Sequence, residues 1–240
     1  MKALVLLAYY NRPVMVRGAL ESLRRQGDAD WRCVMVDDGS EVHGQSVVES
    51  LYPDLLPRME FVRIEDTMAQ KIWQGGSRHP QFLNEAVEKA LEDLVVVLCD
   101  DDALTVGALE ALLLWHEKHP EEKWSYGHVS VYDPSKEPVP FGEVHGGVRE
   151  EKRLDFHLNR RTDPIFPAFI VDSSQVVFMR EAFTGFPPVN TKNCDAALFN
   201  DMGRKWGRCL FNGIVVQHKG SFRDQMGSRR ETMIYKVATA

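Results

Sequence analysis

The sequence predicts an α/β fold, a mostly parallel central sheet flanked by helices, on three observations. Residues 3–8, 33–36 and 94–98 are short unbroken apolar runs, as in strands buried on both faces. The stretches between them carry apolar residues at helical spacing, so the order reads β-α-β-α-β, with right-handed crossovers expected. Two of the apolar runs lead into acids and the third into Tyr-Tyr-Asn-Arg. Parallel α/β sheets bind ligands outside the carboxyl ends of their strands, and parallel strands would open all three ends on one edge.

The first strand, 3–8, ends in Tyr9-Tyr10-Asn11-Arg12-Pro13, a turn with proline near a helix start. The helix that follows carries Val16, Ala19, Leu20 and Leu23 at helical spacing and stops near Gly27. The second strand, 33–36, ends in Asp37-Asp38-Gly39-Ser40, and 59–64 is a third. Residues 65–80 are polar, with Gly75-Gly76 followed by Ser77 and Arg78, and read as a loop. Leu83, Ala86, Val87, Ala90 and Leu91 form one helical face. It leads into the strand 94–98, and Asp100, Asp101 and Asp102 follow Cys99. A helix over 105–119 places Val106, Leu109, Leu113 and His116 on one side.

This alternation is Rossmann-like and covers residues 1–119. The second half of the same domain, 120–222, has a different rhythm. Residues 124–132 alternate as a strand, and 134–147 are Pro- and Gly-rich and read as a long exposed loop. Residues 150–161 are charge-rich, 175–179 form a strand, and 195–205 form a short helix. A last strand, 214–216, ends at Gln217-His218-Lys219-Gly220. The polar tail, 223–240, is expected to be mobile.

A chain of 240 residues can bury a full core as one domain. Its hydrophobic content of 44% and charged content of 27% are ordinary for a globular protein. A net charge of -6 argues against a generally basic nucleic-acid binder. Cys33, Cys99, Cys194 and Cys209 form no Cys-x-x-Cys. Cys33 and Cys99 lie in apolar strand runs and read as buried free thiols of a reducing compartment. The short apolar start reads as a strand and not as a signal peptide, and no run is long enough to cross a bilayer. A cytoplasmic location is expected.

The chemistry gathers at the strand ends. Three consecutive carboxylates repel one another unless a positive charge sits among them, and a divalent cation is the simplest answer. The alternative is an acidic turn capping the next helix. Asp38 can accept the ring N–H of uracil or guanine, with Tyr9 or Tyr10 stacking on the base. Asp-Asp-Gly-Ser is equally an ordinary turn signal. No Walker A loop follows any strand and no Gly-x-Gly-x-x-Gly opens a helix, so phosphates would be handled by a metal and side chains.

The ordered pattern is an apolar strand, Tyr-Asn-Arg-Pro, a helix, Val-Asp-Asp-Gly-Ser, Leu-Asn-Glu-Ala, an apolar strand and Asp-Asp-Asp. It resembles family-2 glycosyltransferases with the GT-A fold, over residues 2 to 119. The resemblance implies a nucleotide-sugar donor, UDP-sugar favoured and GDP-sugar possible, with Asp38 on the base and Tyr9 and Arg12 near it. It makes Asp100-Asp101-Asp102 the Asp-x-Asp motif, with Asp100 toward the ribose, Asp101 beside the donor and Asp102 on Mn²⁺ or Mg²⁺. Arg78 would add a bidentate phosphate contact, or else be a solvated loop arginine.

Asn193-Cys194-Asp195 stands where the family carries a Glu-Asp pair, so only Asp195 matches. The resemblance implies that Asp195 is the base of an inverting transfer. It also suits a helix N-cap, and Asp172 is its rival. His218 is implied as a further metal ligand, against a structural role.

The expected reaction is metal-dependent transfer of a sugar to a hydroxyl acceptor, a saccharide or, on the same fold, a hydroxylated base in DNA. Arg149, Lys152, Arg153, Arg160 and Arg161 cluster, as do Arg223, Arg229 and Arg230. These are solvated faces or a surface for an anionic acceptor. A nucleotidyltransferase would show a glycine-rich basic loop after the first strand, and Tyr9 to Pro13 has no glycine. A nucleotide-sugar-binding module without chemistry is the non-enzyme alternative.

Overall fold

The computed structural model describes residues 1–73, 75–132, 173–188, 194–207 and 209–220. The expected 134–147 loop, both basic clusters, Asp172 and the tail lie outside them. The strands are β1 (Ala3–Tyr9), β2 (Trp31–Asp37), β3 (Met59–Arg63), β4 (Leu94–Cys99), β5 (Asp102–Leu104), β6 (Trp124–Tyr132), β7 (Val176–Met179) and β8 (Leu210–Gly220). The helices are α1 (Val16–Arg24), α2 (Gly44–Leu51), α3 (Met68–Trp73), α4 (His79–Glu88), α5 (Ala108–Lys118) and α6 (Cys194–Trp206).

The strands form one 8-stranded sheet in the order β3-β2-β1-β4-β7-β6-β8-β5. The β1–β2, β1–β4, β2–β3 and β6–β8 pairs are parallel. The β4–β7, β6–β7 and β5–β8 pairs are antiparallel, so the sheet is mixed in its second half and parallel across β3, β2, β1 and β4. Successive residues of β1 feed opposite faces. Val5 and Leu7 pack with Val16, Leu20 and Leu23 of α1, Val48 of α2, and Leu109 and Leu112 of α5. Leu4 and Leu6 pack with Leu83 and Val87 of α4 and Leu198 and Met202 of α6. Each such side chain, fully buried, contributes about 1.5–3 kcal/mol of transfer free energy.

Several expectations need correction. Leu91 and Val106 are 89% and 71% exposed because α4 has ended at Glu88 and α5 does not begin until Ala108. The 65–80 stretch holds the helix α3. β6 is enclosed on both faces at its start, with Trp124, Ser125 and Tyr126 all buried. β8 runs through His218 to Gly220 instead of stopping at Val216. Cys33 is buried as expected, whereas Cys99 is only partly so.

Candidate active site

The register sets the site. Tyr9 pairs with Asp37 and Ala8 pairs with Cys99, so β1, β2 and β4 end level with one another. The three ends found in the sequence therefore open together, as a parallel sheet requires.

The turn after β2 separates the roles of its two acids. Asp37 accepts the backbone N–H groups of Ser40 at 2.8 Å and Gly44 at 3.0 Å, and Arg63 Nη1 at 3.1 Å. It is the carboxylate of the turn. Gly39 has φ +76, and a Cβ there would stand 2.9 Å from the Ile64 carbonyl oxygen, so both backbone and space require glycine. Asn11, itself at φ 51, receives a partner from this turn: its N–H donates to Ser40 Oγ at 2.9 Å, and Glu41 N–H donates to Asn11 Oδ1 at 2.7 Å. The two loops are thereby fastened together.

Asp38 has a different partner. It is 8% exposed, and Lys71 of α3 stands 3.1 Å from its Oδ1. The Lys71 ammonium also donates to the Asp38 backbone carbonyl and lies 4.6 Å from the centre of the Tyr10 ring. Tyr9, by contrast, is 1% exposed, and its hydroxyl donates to the Val42 carbonyl at 2.8 Å. Burial, with Asp37 nearby, pushes its pKa up to about 12. A ring packed into the core offers no face to a base, so Tyr10 replaces Tyr9 as the stacking candidate.

The acid triplet has an internal counter-charge. Arg12 Nη1 donates to Asp100 Oδ1 at 2.9 Å and to Asp101 Oδ2 at 2.8 Å. Tyr10 N–H donates to Asp100 Oδ2 at 2.9 Å. Burial raises the Asp100 pKa to about 6, against the pull of Arg12 and the Tyr10 N–H. Part of the repulsion that suggested a cation is thus met by Arg12, which sits on Asp100 and Asp101. The helix-capping alternative fails. α5 follows Gly107 with β5 intervening, and Leu109 N–H finds its acceptor in Gln26 Oε1 at 3.0 Å.

A small divalent ion fits the donors present. Cys99 Sγ and one oxygen each from Asp101 and Asp102 lie within 4.8 Å of one another. Two hard carboxylates suit Mg²⁺ or Mn²⁺, and so few protein ligands leave positions for substrate oxygens. In the β5–β8 register His218 stands opposite Ala103 and Lys219 opposite Asp102, which brings His218 into the strand beside the triplet.

Arg78 is committed elsewhere. Its Nε and Nη2 donate to the two oxygens of Asp66 at 2.8 and 2.7 Å, so the fork expected on a phosphate is occupied. Asp195 lies in the first turn of α6, and its Oδ1 accepts a weak bond from Cys194 Sγ at 3.4 Å. Burial first, then Asp195, pushes the Cys194 thiol up to about 12, so it stays protonated. The structure thus brings Asp38, Tyr10, Arg12, Asp100, Asp101 and Asp102 into one continuous group and leaves Arg78 out of it. Lys71 and Cys99 were missed as site residues. Lys71 sits in a stretch without periodicity, and Cys99 read as strand core.

The family model described as glycosyl transferase family 2 matches residues 4–183. The chain belongs to this family. A family relative from Campylobacter jejuni, GalNAc(5)-diNAcBac-PP-undecaprenol beta-1,3-glucosyltransferase, is 30% identical over 47% of this chain and 33% of its own length. The teichoic acid poly(glycerol phosphate) polymerase of Staphylococcus epidermidis is 24% identical over 45% of this chain and 14% of its own length. This chain therefore spans a third or less of the matched relatives. Among solved structures, S. aureus TarS 1-349 superposes with a TM-score of 0.63 at 16% identity, covering 98% of this chain and 65% of that one. The mannosyltransferase PcManGT of Pyrobaculum calidifontis, in complex with GDP-Man and Mn2+, gives 0.58 at 19% identity, covering 95% and 59%. The fold of this family-2 chain is the GT-A fold of these glycosyltransferases. Among the described residues no helix is long and apolar enough to cross a membrane.

Proposed function

We propose that this chain moves a sugar from a nucleoside diphosphate sugar to a hydroxyl acceptor, with Mn²⁺ or Mg²⁺ bound at the acid triplet. The observation that carries this reading is the unbroken chain of contacts from Asp38 through Lys71 and Tyr10 to Asp100, Arg12 and Asp101. It joins Asp38 to the acid triplet along one sheet edge. Asp38 accepts the ring N–H of the base, Tyr10 offers its ring, and Asp100 lies toward the ribose. Asp101 and Asp102 hold the cation, with Cys99 at its side and His218 as a further ligand from β8. The bound cation offsets the negative charge that develops on the departing nucleoside diphosphate.

TarS has been seen with UDP and with UDP-GlcNAc, and PcManGT with GDP-Man and Mn2+, which supports a nucleotide-sugar donor for this chain too. The Campylobacter relative is named a beta-1,3-glucosyltransferase of GalNAc(5)-diNAcBac-PP-undecaprenol, which supports a saccharide acceptor. Asp195 is the proposed base: its carboxylate takes the acceptor hydroxyl proton as that oxygen attacks the sugar carbon, which inverts the anomeric centre.

A thermal-shift panel of UDP- and GDP-sugars with and without Mn²⁺ tests the reading. A donor and cation together should raise the melting temperature more than either alone, because ligands of the native state stabilise it by mass action. No shift with any donor, and no transfer to any saccharide, would sink it.

A further inference from the structure

Two polar side chains from the end of α1 hold the segment that follows the acid triplet. Leu104 N–H donates to Ser22 Oγ at 3.0 Å, Gln26 Nε2 donates to the Thr105 carbonyl at 2.9 Å, and Leu109 N–H donates to Gln26 Oε1 at 3.0 Å. Ser22 lies in the last turn of α1 and Gln26 just past its end. They are 6% and 1% exposed, beside the apolar Ala19, Leu20 and Leu23. Polar groups buried there cost free energy unless they are hydrogen-bonded, and packing alone does not call for them. Both are themselves fixed. The Ser22 hydroxyl donates to the Ala19 carbonyl at 2.6 Å, which leaves its oxygen to act as an acceptor for Leu104. Gln26 Nε2 also donates to the Ser22 carbonyl at 2.8 Å.

β5 needs such support. It is three residues long and lies at the end of the sheet, with β8 as its one neighbouring strand. Arg12, in the turn that leads into α1, grips Asp100 and Asp101, while Ser22 grips Leu104. Asp102 and Ala103 are thus held between two points that the same helix and its lead-in provide. Resting on the reading of the acid triplet as the cation site, we propose that Ser22 and Gln26 are positioning residues of that site. They fix β5 from α1, so that Asp102 stands beside Asp101 before a cation binds. Neither residue touches the cation. They act through the backbone of Leu104, Thr105 and Leu109. Carboxylates already in place lose little conformational freedom on binding, which raises affinity.

Mn²⁺ binding to the full chain in the presence of UDP, followed by the EPR signal of free Mn²⁺, tests this. Ser22→Ala removes the acceptor for Leu104 N–H and should weaken Mn²⁺ binding about tenfold, and Gln26→Leu should do the same. Trp206→Phe is the control. It loses the bond from Trp206 Nε1 to the Ala182 carbonyl on the opposite face of the sheet. It should lower the melting temperature and keep the Mn²⁺ affinity of the wild type. If Ser22→Ala and Gln26→Leu lower the melting temperature but bind Mn²⁺ as the wild type does, the two residues are structural only and the inference is overturned. An equal loss of affinity in Trp206→Phe overturns it as well. In either case a wild type that binds Mn²⁺ leaves the proposed function standing. Should Ser22→Ala and Gln26→Leu fail to fold, amide hydrogen exchange of the wild type decides. The Leu104 and Leu109 amides should exchange slowly before any ligand is added. Fast exchange that slows only with Mn²⁺ and UDP would mean that the cation orders the segment, against the inference. A wild type that binds no Mn²⁺, with or without UDP, removes the proposed cation site and this inference together.

Discussion

Arg12 holds two carboxylates with one nitrogen, and its side chain is only 14% exposed. Breaking one partner of such an enclosed set leaves uncompensated charge, so Arg12→Gln should cost about 3–5 kcal/mol of stability. Urea denaturation checks this, and a loss below 1 kcal/mol would show that solvent already screens the pair. Asp102→Asn keeps the shape of the side chain but removes a charge that the proposed cation would need. Turnover should vanish while the melting temperature holds. Near-native activity in the variant, or a wild type that works fully in EDTA, would remove the metal from the reaction. Asp195→Asn tests the base in the same way. Donor affinity should stay nearly intact while turnover falls by roughly two to four orders of magnitude. A helix cap alone would give the opposite pattern, a small loss of stability and little loss of rate. Retention of the donor configuration, read by NMR of the product anomer, would exclude Asp195 as the base of a single displacement.

At the scale of elements, the placement of Asp102 depends on β8. β5 begins at Asp102 and pairs with β8, and β8 in turn lies parallel to β6. The β6–β8 register shifts on either side of His128, and Gly127 sits at this irregularity. A Cβ on Gly127 would fall 2.3 Å from the Ile214 carbonyl oxygen and 2.6 Å from Val216 Cγ2. One of these contacts is backbone, so the strand itself must shift. Gly127→Ala should therefore destabilise the protein by about 1–3 kcal/mol. It should also weaken Mn²⁺ binding in the presence of UDP, because displacing β8 displaces the partner of β5. Metal titration and a melting curve on the same sample check both. Unchanged metal affinity with lowered stability would show that β5 holds its acids without β8.

The whole molecule carries a pH dependence away from the site. His116 is 1% exposed, and its Nε2 lies 3.1 Å from Ser125 Oγ, which also accepts from Asn212 Nδ2 at 3.0 Å. Burial pushes the His116 pKa down to about 4. Between that value and the ordinary histidine range near 6.5, the unfolded chain binds a proton that the folded chain refuses. Stability therefore rises with pH across this window and is lost as pH falls through it. From this group alone the loss between pH 8 and pH 5 is about 2 kcal/mol. His116→Gln should flatten that part of the stability profile, as measured by urea midpoints at each pH. An unchanged slope would assign the dependence to other groups.

Local periodicity was enough to read β1, β2, β4, α1 and α4, because strand and helix repeats are written in neighbouring residues. The acid triplet and Asp38 were legible as well, since a strand that stops at carboxylates announces itself within a few positions. Ends of elements were less so: Leu91 and Val106 fit the apolar pattern but lie just outside the helices, where nothing covers them. What the tertiary structure alone decided was partnership. Arg12 meets Asp100 across 88 residues of chain, and Lys71 meets the Asp38 backbone across 33. The three-residue β5 exists because β8 pairs with it from the far end of the sheet. The choice between Tyr9 and Tyr10 followed the same logic. Tyr9 is the last residue of β1 and is buried in the core, Tyr10 is the first beyond it, and only the pairing of β1 with β2 and β4 determines where that boundary falls.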